Sequence, residues 1–158
     1  MSAVVVLSNT GQEVGLEEVE RICQEVRVGK PRAYMETFLK IEDEGGKIVP
    51  FKFVANQDYF YRETFEKVGN ALRSGFWAFL AKDRKARSST FWCGCLFSFM
   101  MNVPSFHAVI VGALEEHADV ALRMVDTFYN NLPDAELEGI SIMKPEKGHW
   151  DKGFREVG

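Results

Sequence analysis

Three consecutive segments between residues 76 and 102 constrain the fold of this chain more than any other feature. The apolar run FWAFLA at residues 76–81 is followed by the basic stretch KDRKARSST at residues 82–90, and then by a helix-length apolar segment at residues 91–101. A buried strand that leads through a basic loop into a helix is the layout of a phosphate-binding loop, because the free N–H groups at a helix N-terminus attract anions. The sequence therefore predicts an anion site where the helix at residues 88–101 begins.

The loop departs from the ordinary Walker A pattern, in which Gly, four residues, Gly, Lys and Ser/Thr follow one another. When the hydroxyl position of that pattern is placed on Ser89, its two glycine positions fall on Lys82 and Arg87, and its lysine position falls on Ser88. Both glycines and the late lysine are therefore missing. What remains is a hydroxyl for Mg²⁺, a helix N-terminus and a lysine at the front of the loop.

This arrangement resembles the deviant P-loop of the large terminase subunit of tailed bacteriophages, in which an apolar strand precedes Lys-x-Arg-Gln-x-Gly-x-Ser-Thr. Four residues match that pattern without a gap: Lys82, Arg84, Ser89 and Thr90. Lys85 stands where the family has glutamine, and Arg87 stands where it has glycine. A glycine there adopts positive φ and lets the backbone approach the phosphates, so we expect the arginine to carry a steric cost.

Two further stretches resemble the same family. Residues 34–57 look like its entry segment, in which a short helix leads through a polar turn to Pro-Phe-x-Leu-x-x-x-Gln, and Gln57 matches the glutamine that recognises adenine. A side-chain amide suits that role because it donates and accepts hydrogen bonds at once. Residues 107–133 resemble the next strand and helix of the ATPase core, so the resemblance covers roughly residues 33 to 133.

The resemblance implies an α/β, P-loop NTPase-like fold with parallel strands and crossover helices, here an incomplete ATPase core. It implies an N-terminal helical extension at residues 1–30 and a partial ATPase domain at residues 31–158, without the nuclease domain. The implied phosphate-binding residues share the loop and the start of the following helix: Lys82, Arg84, Ser88, Ser89 and Thr90. Ser89 would also bind Mg²⁺, and Gln57 would bind the adenine of ATP.

The implied function is that of the motor that packages double-stranded viral DNA into a prohead by ATP hydrolysis. The implied partners are double-stranded DNA, the small terminase subunit, the portal protein and further copies of the chain, all in the host cytoplasm. No membrane partner is expected, because the longest apolar run, residues 91–101, is too short to span a bilayer. The net charge of −4 argues against a surface built as a whole to grip DNA.

A catalytic carboxylate is missing from this interpretation. ATP hydrolysis by a P-loop enzyme uses an acidic pair after a second apolar strand, but the run at residues 109–111 is followed by Gly112. Glu115 and Glu116 come later and are predicted to complement the dipole of the next helix. The chain is therefore predicted to be inactive alone. Two alternatives remain: a non-catalytic, degenerate P-loop interaction module, or a helicase-like nucleic-acid ATPase fragment, which should carry a Gly-Lys-Thr loop.

Hydrophobic periodicity and turn residues predict the remaining elements without any family. The predicted helices are residues 16–26, 31–41, 56–74, 88–101 and 114–130. A turn at residues 43–46 precedes an extended segment at 48–53, parallel strands are predicted at 76–81 and 107–112, and a short strand at 140–143. The three cysteines, Cys23, Cys93 and Cys95, are predicted to be buried thiols rather than metal ligands.

Overall fold

A computed structural model describes residues 6–67, 87–111, 115–133, 136–137 and 140–141. The described helices are α1 (Leu16–Arg27), α2 (Arg32–Phe38), α3 (Ala55–Tyr61), α4 (Ser88–Asn102) and α5 (Glu115–Asn130), with a π-helical segment at Arg62–Glu66 directly after α3. The described strands are β1 (Val6–Leu7), β2 (Glu13–Val14), β3 (Lys40–Glu42), β4 (Ile48–Pro50), β5 (Glu136–Leu137) and β6 (Ile140–Ser141). They form three antiparallel pairs, β1 with β2, β3 with β4 and β5 with β6.

Helix α1 confirms the predicted helix at residues 16–26 to within one residue. Its apolar side chains recur at helical spacing and are buried: Val19, Ile22, Cys23 and Val26. The helix ends at Arg27, Gly29 follows with φ 88°, and the Lys30 N–H donates to the Glu25 carbonyl oxygen at 2.8 Å. A glycine in the left-handed conformation satisfies the last carbonyl groups of a helix in this way.

The predicted helix at residues 31–41 is wrong in its last part. Helix α2 ends at Phe38, and Lys40–Glu42 is a strand that pairs with Ile48–Pro50, with Ile41 opposite Val49. The predicted turn between them is confirmed: Oδ1 of Asp43 accepts the N–H groups of Gly45 and Lys47, both at 2.9 Å. This turn closes a hairpin, and a hairpin needs two extended arms, so it overrides the helical periodicity before it.

Helix α4 confirms the predicted helix at residues 88–101 and is the centre of the described fold. It packs against α1, α2, α3 and α5, and most of its circumference is buried. The remaining stripe carries the exposed Ser89 and the half-buried Trp92, Leu96 and Met100. Gly94 allows the close approach to α2, because a Cβ atom there would lie 2.6 Å from Cε of Met35.

The predicted parallel core is not found in the described part of the chain. Residues 107–111, predicted as a strand, form no strand there, although exposure alternates from Phe106 to Val111 as it does in a strand. Val109 and Val111 are 74% and 87% exposed, while Ala108 and Ile110 face a small apolar cavity between α4 and α5. Residues 76–81, the other predicted parallel strand, lie outside the described residues.

The remaining predictions hold in part. The predicted helix at 56–74 begins as α3, and its portion beyond residue 67 lies outside the described residues. Helix α5 matches the predicted helix at 114–130, although Val120, predicted to face inward, is 40% exposed. The predicted strand at 140–143 is present at Ile140–Ser141. In the described ranges, no helix combines the length and the apolarity needed to cross a membrane.

All three cysteines are buried and free, which confirms the prediction of buried thiols. Burial raises the pKa of the Cys93 thiol to about 11, and it raises the pKa values of Cys23 and Cys95 above their usual range. In the described part of the chain, no three His, Cys, Asp or Glu side chains are grouped so that they could hold a metal ion.

These thiols predict a loss of stability at alkaline pH. Above the usual thiol pKa of 9.0 the unfolded chain releases protons that the folded chain retains, so the free energy of unfolding should fall as pH rises through about 9 to 11. Urea unfolding at intervals between pH 7 and pH 10.5 measures this slope. Cys93→Ala removes one such proton and should make the decline shallower; an unchanged slope would contradict the assignment.

Candidate functional site

The start of α4 has the backbone conformation that a glycine would ordinarily supply. Arg87, the residue directly before the helix, lies in the left-handed region with φ 51° and ψ 24°. Among the described residues other than glycine, only Ser105 shares a positive φ. For an L-residue with a Cβ atom this conformation costs about 1–2 kcal/mol. The position where the terminase pattern has glycine is therefore the position where the backbone needs one.

The three hydroxyl residues of the predicted phosphate site form the first turn of α4. Ser88 is buried, Ser89 is exposed, and Thr90 is half-buried with its Oγ1 atom 3.9 Å from Sδ of Met124. No side chain caps the helix, and helix geometry leaves the first backbone N–H groups without partners inside the helix. The arrangement offers an anion several N–H groups and one solvent-accessible hydroxyl, that of Ser89. Lys82 and Arg84 lie outside the described residues.

Gln57, the predicted adenine-binding residue, lies beside this helix start and is 2% exposed. Its Oε1 atom accepts the Val54 N–H at 3.2 Å, and its Nε2 atom donates to the Arg87 carbonyl oxygen at 3.1 Å. The amide thus joins α3 to the residue that precedes α4. A base recognised by Gln57 would have to reach this buried amide and use its second N–H and second lone pair, or replace one of these two hydrogen bonds.

Substitution of Gln57 is therefore expected to destabilise the fold. Gln57→Ala removes both hydrogen bonds and should lower the free energy of unfolding by about 1–3 kcal/mol. Gln57→Glu keeps the acceptor for Val54 but sets a buried carboxylate against the Arg87 carbonyl oxygen, so it should cost at least as much stability as Gln57→Ala. Chemical denaturation of both variants gives the comparison. If neither variant lost stability, the joining role of this amide would be refuted.

A cleft of about 240 Å³ opens on the other side of the helix start. It is lined by residues from the β3–β4 hairpin, the first turn of α4 and one face of α5: Ile41, Glu42, Asp43, Thr90, Val120, Arg123, Met124, Thr127 and Phe128. The hairpin turn also contacts Arg87, whose Nη2 atom lies 3.6 Å from Oε1 of Glu44. Only Thr90 of these lining residues belongs to the site predicted from the sequence.

Sequence reasoning missed this cleft because its lining comes from three elements that are distant along the chain. The one local signal is the pair Arg123 and Thr127, which are polar residues on the same face of an otherwise apolar helix side. Glu115 and Glu116 were predicted to complement the dipole of this helix. They lie in its first turn, since α5 begins at Glu115. His107 and His117 are exposed, and His149 lies outside the described residues.

Comparisons of this chain with protein-family models, with curated proteins and with solved structures find no match.

Proposed function

We propose that the start of α4 binds the phosphates of a nucleotide, and that the chain is the ATP-binding part of a large terminase subunit. The observation that carries this proposal is the left-handed conformation of Arg87, at the position where the resembled loop has glycine. In such loops the positive φ turns the backbone so that successive N–H groups face the phosphates. The whole motor function, with Mg²⁺, double-stranded DNA, the small subunit and the portal protein, belongs to the same proposal.

Local positive charge, rather than the net charge of the chain, supports this proposal. The chain as a whole is acidic, with a net charge of −4, so a nucleotide would be held by local groups rather than by the overall field. Those groups are the basic side chains of residues 82–87 and the N–H groups of the first turn of α4. An exposed hydroxyl at Ser89 is available to a phosphate-bound Mg²⁺, as the resemblance implies.

Substitutions of the loop separate backbone geometry from charge. Lys82→Ala is expected to weaken nucleotide binding about tenfold to a hundredfold, since a charge-assisted contact contributes roughly 1.5–3 kcal/mol. Arg87→Gly removes a charge but relieves the left-handed strain, so it should leave binding intact or tighten it. Arg87→Ala removes the same charge without relieving the strain. It should therefore bind more weakly than Arg87→Gly and be less stable by about 1 kcal/mol.

Titration of a fluorescent ATP analogue at low and moderate salt measures the binding, and urea unfolding measures the stability. A basic patch without loop geometry would give similar losses for Lys82→Ala, Arg87→Gly and Arg87→Ala, and all three losses would fade with salt. That pattern would reject the phosphate-binding loop.

A second candidate function is a non-catalytic module with a degenerate P-loop. Two observations favour it: residues 107–111 form no strand, and the Gln57 amide is already bonded at both ends to protein backbone. A motor part must couple its nucleotide site to its DNA site, so an ATP analogue should change its affinity for double-stranded DNA. Nucleotide binding that leaves DNA affinity unchanged would favour the non-catalytic module.

A further inference from the structure

We propose that the cleft between the β3–β4 hairpin and α5 receives the purine base of the nucleotide whose phosphates lie at the start of α4. This inference rests on the proposed phosphate site and places the base in a cleft that Gln57 does not line. The base then contacts Ile41, Arg123 and Met124, none of which the sequence pattern had singled out.

The position of the cleft fits a nucleotide. Thr90 lines the cleft and is the third residue of α4, so the cleft begins within one helical turn of the N–H groups that would hold the phosphates. Gln57 offers no such space, because it is buried and its amide bonds to Val54 and Arg87.

The chemistry of the lining also fits a base. Ile41, Met124 and the edge of the buried Phe128 form an apolar floor, which suits the flat face of an aromatic ring. The rim carries both a hydrogen-bond donor, Arg123, and a hydrogen-bond acceptor, Glu42. The edge of a purine both donates and accepts.

Two polar residues of the lining, Asp43 and Thr127, already use part of their hydrogen-bonding capacity within the protein. Oδ1 of Asp43 accepts two backbone N–H groups of the hairpin turn, so this oxygen has little capacity left for a ligand. The Thr127 hydroxyl donates to the Arg123 carbonyl oxygen at 2.9 Å, so its oxygen can only accept from a ligand. The Arg123 guanidinium is exposed and is the donor best placed to meet the base.

The size of the cleft limits what it can hold. At about 240 Å³ it lies below the range of about 300–1,000 Å³ typical of sites for drug-sized ligands. One base fits this space better than a whole nucleotide does. The phosphates therefore remain outside it, at the start of α4.

The test compares ATP with inorganic tripolyphosphate, each with Mg²⁺, by isothermal titration calorimetry on the full chain. Tripolyphosphate probes the phosphate site alone, so the ratio of the two affinities reports the base. Val120→Trp fills the rim of the cleft, and Arg123→Ala removes its donor. We expect each variant to lower the affinity ratio about tenfold, and Val120→Trp to leave tripolyphosphate affinity unchanged.

Asp126→Trp is the matched control, because it adds the same bulk at an exposed position of α5 that does not line the cleft; it should leave the ratio unchanged. An unchanged ratio in both Val120→Trp and Arg123→Ala would overturn the inference while leaving the phosphate site intact. A loss of the ratio in Gln57→Ala alone would overturn it in favour of the base site predicted from the sequence. If wild type binds neither ligand, the proposed function fails and this inference fails with it.

Discussion

Phe91→Ala is expected to lower the free energy of unfolding by about 3–5 kcal/mol, because it removes a fully buried ring and leaves a cavity. Phe91 lies in the first turn of α4 and touches rings from three other parts of the chain. Its ring centroid is 5.9 Å from those of Phe53 and Phe60, 6.4 Å from that of Phe65 and 4.9 Å from that of Trp92. Edge-to-face and tilted ring pairs of this kind add to the burial term.

Phe91→Leu is the control, since it keeps most of the buried apolar volume and loses only the ring contacts. We expect it to cost clearly less than Phe91→Ala when both are compared by urea unfolding. Because Phe91 is adjacent to Thr90, its loss should also loosen the start of α4, where the nucleotide phosphates are proposed to bind. A cost below about 1 kcal/mol for Phe91→Ala would mean that this region collapses around the cavity.

Asn9→Asp is expected to lower the free energy of unfolding by about 2–4 kcal/mol at neutral pH, because it replaces a buried donor with a carboxylate. The Nδ2 atom of Asn9 donates to the carbonyl oxygens of Glu36 and Leu39, at 2.9 Å and 2.8 Å. These carbonyl groups belong to the end of α2, and the Asn9 N–H donates to the Thr37 carbonyl oxygen beside them at 2.6 Å. A carboxylate would face the two oxygens with no proton to share.

The pH dependence of Asn9→Asp distinguishes lost hydrogen bonds from general disruption. A carboxyl group among carbonyl oxygens has a folded-state pKa raised above its unfolded value of about 3.9, so its cost to folding is smallest at a pH where it is protonated in both states. The cost relative to wild type should therefore grow as pH rises from about 3.9 through the raised folded-state pKa. Asn9→Ala lacks a titrating group and should show a cost that does not depend on pH in this range. A constant cost in both variants would contradict the proposed role of the amide.

The sequence by itself determined the elements whose signals are local. The bounds of α1 and α5 follow from hydrophobic spacing and from the acidic residues near their starts, and those of α4 follow from the length of its apolar run. Each of these signals acts within a few turns of its own helix. The turn at Asp43 and the burial of the thiols were predictable for the same reason. The glycine-like conformation at Arg87 was also indicated, because the aligned loop pattern marks the position that needs it.

Tertiary structure alone decided the features that depend on distant partners. Lys40–Glu42 is a strand because Ile48–Pro50 pairs with it, whereas residues 107–111 have the alternating exposure of a strand but pair with no strand in the described part of the chain. The Gln57 amide hydrogen-bonds to Val54 and Arg87, and the bond to Arg87 depends on how α3 packs beside α4. The cleft exists only where the hairpin, α4 and α5 converge. Local sequence patterns do not predict such contacts, because residues far apart in the chain stabilise them.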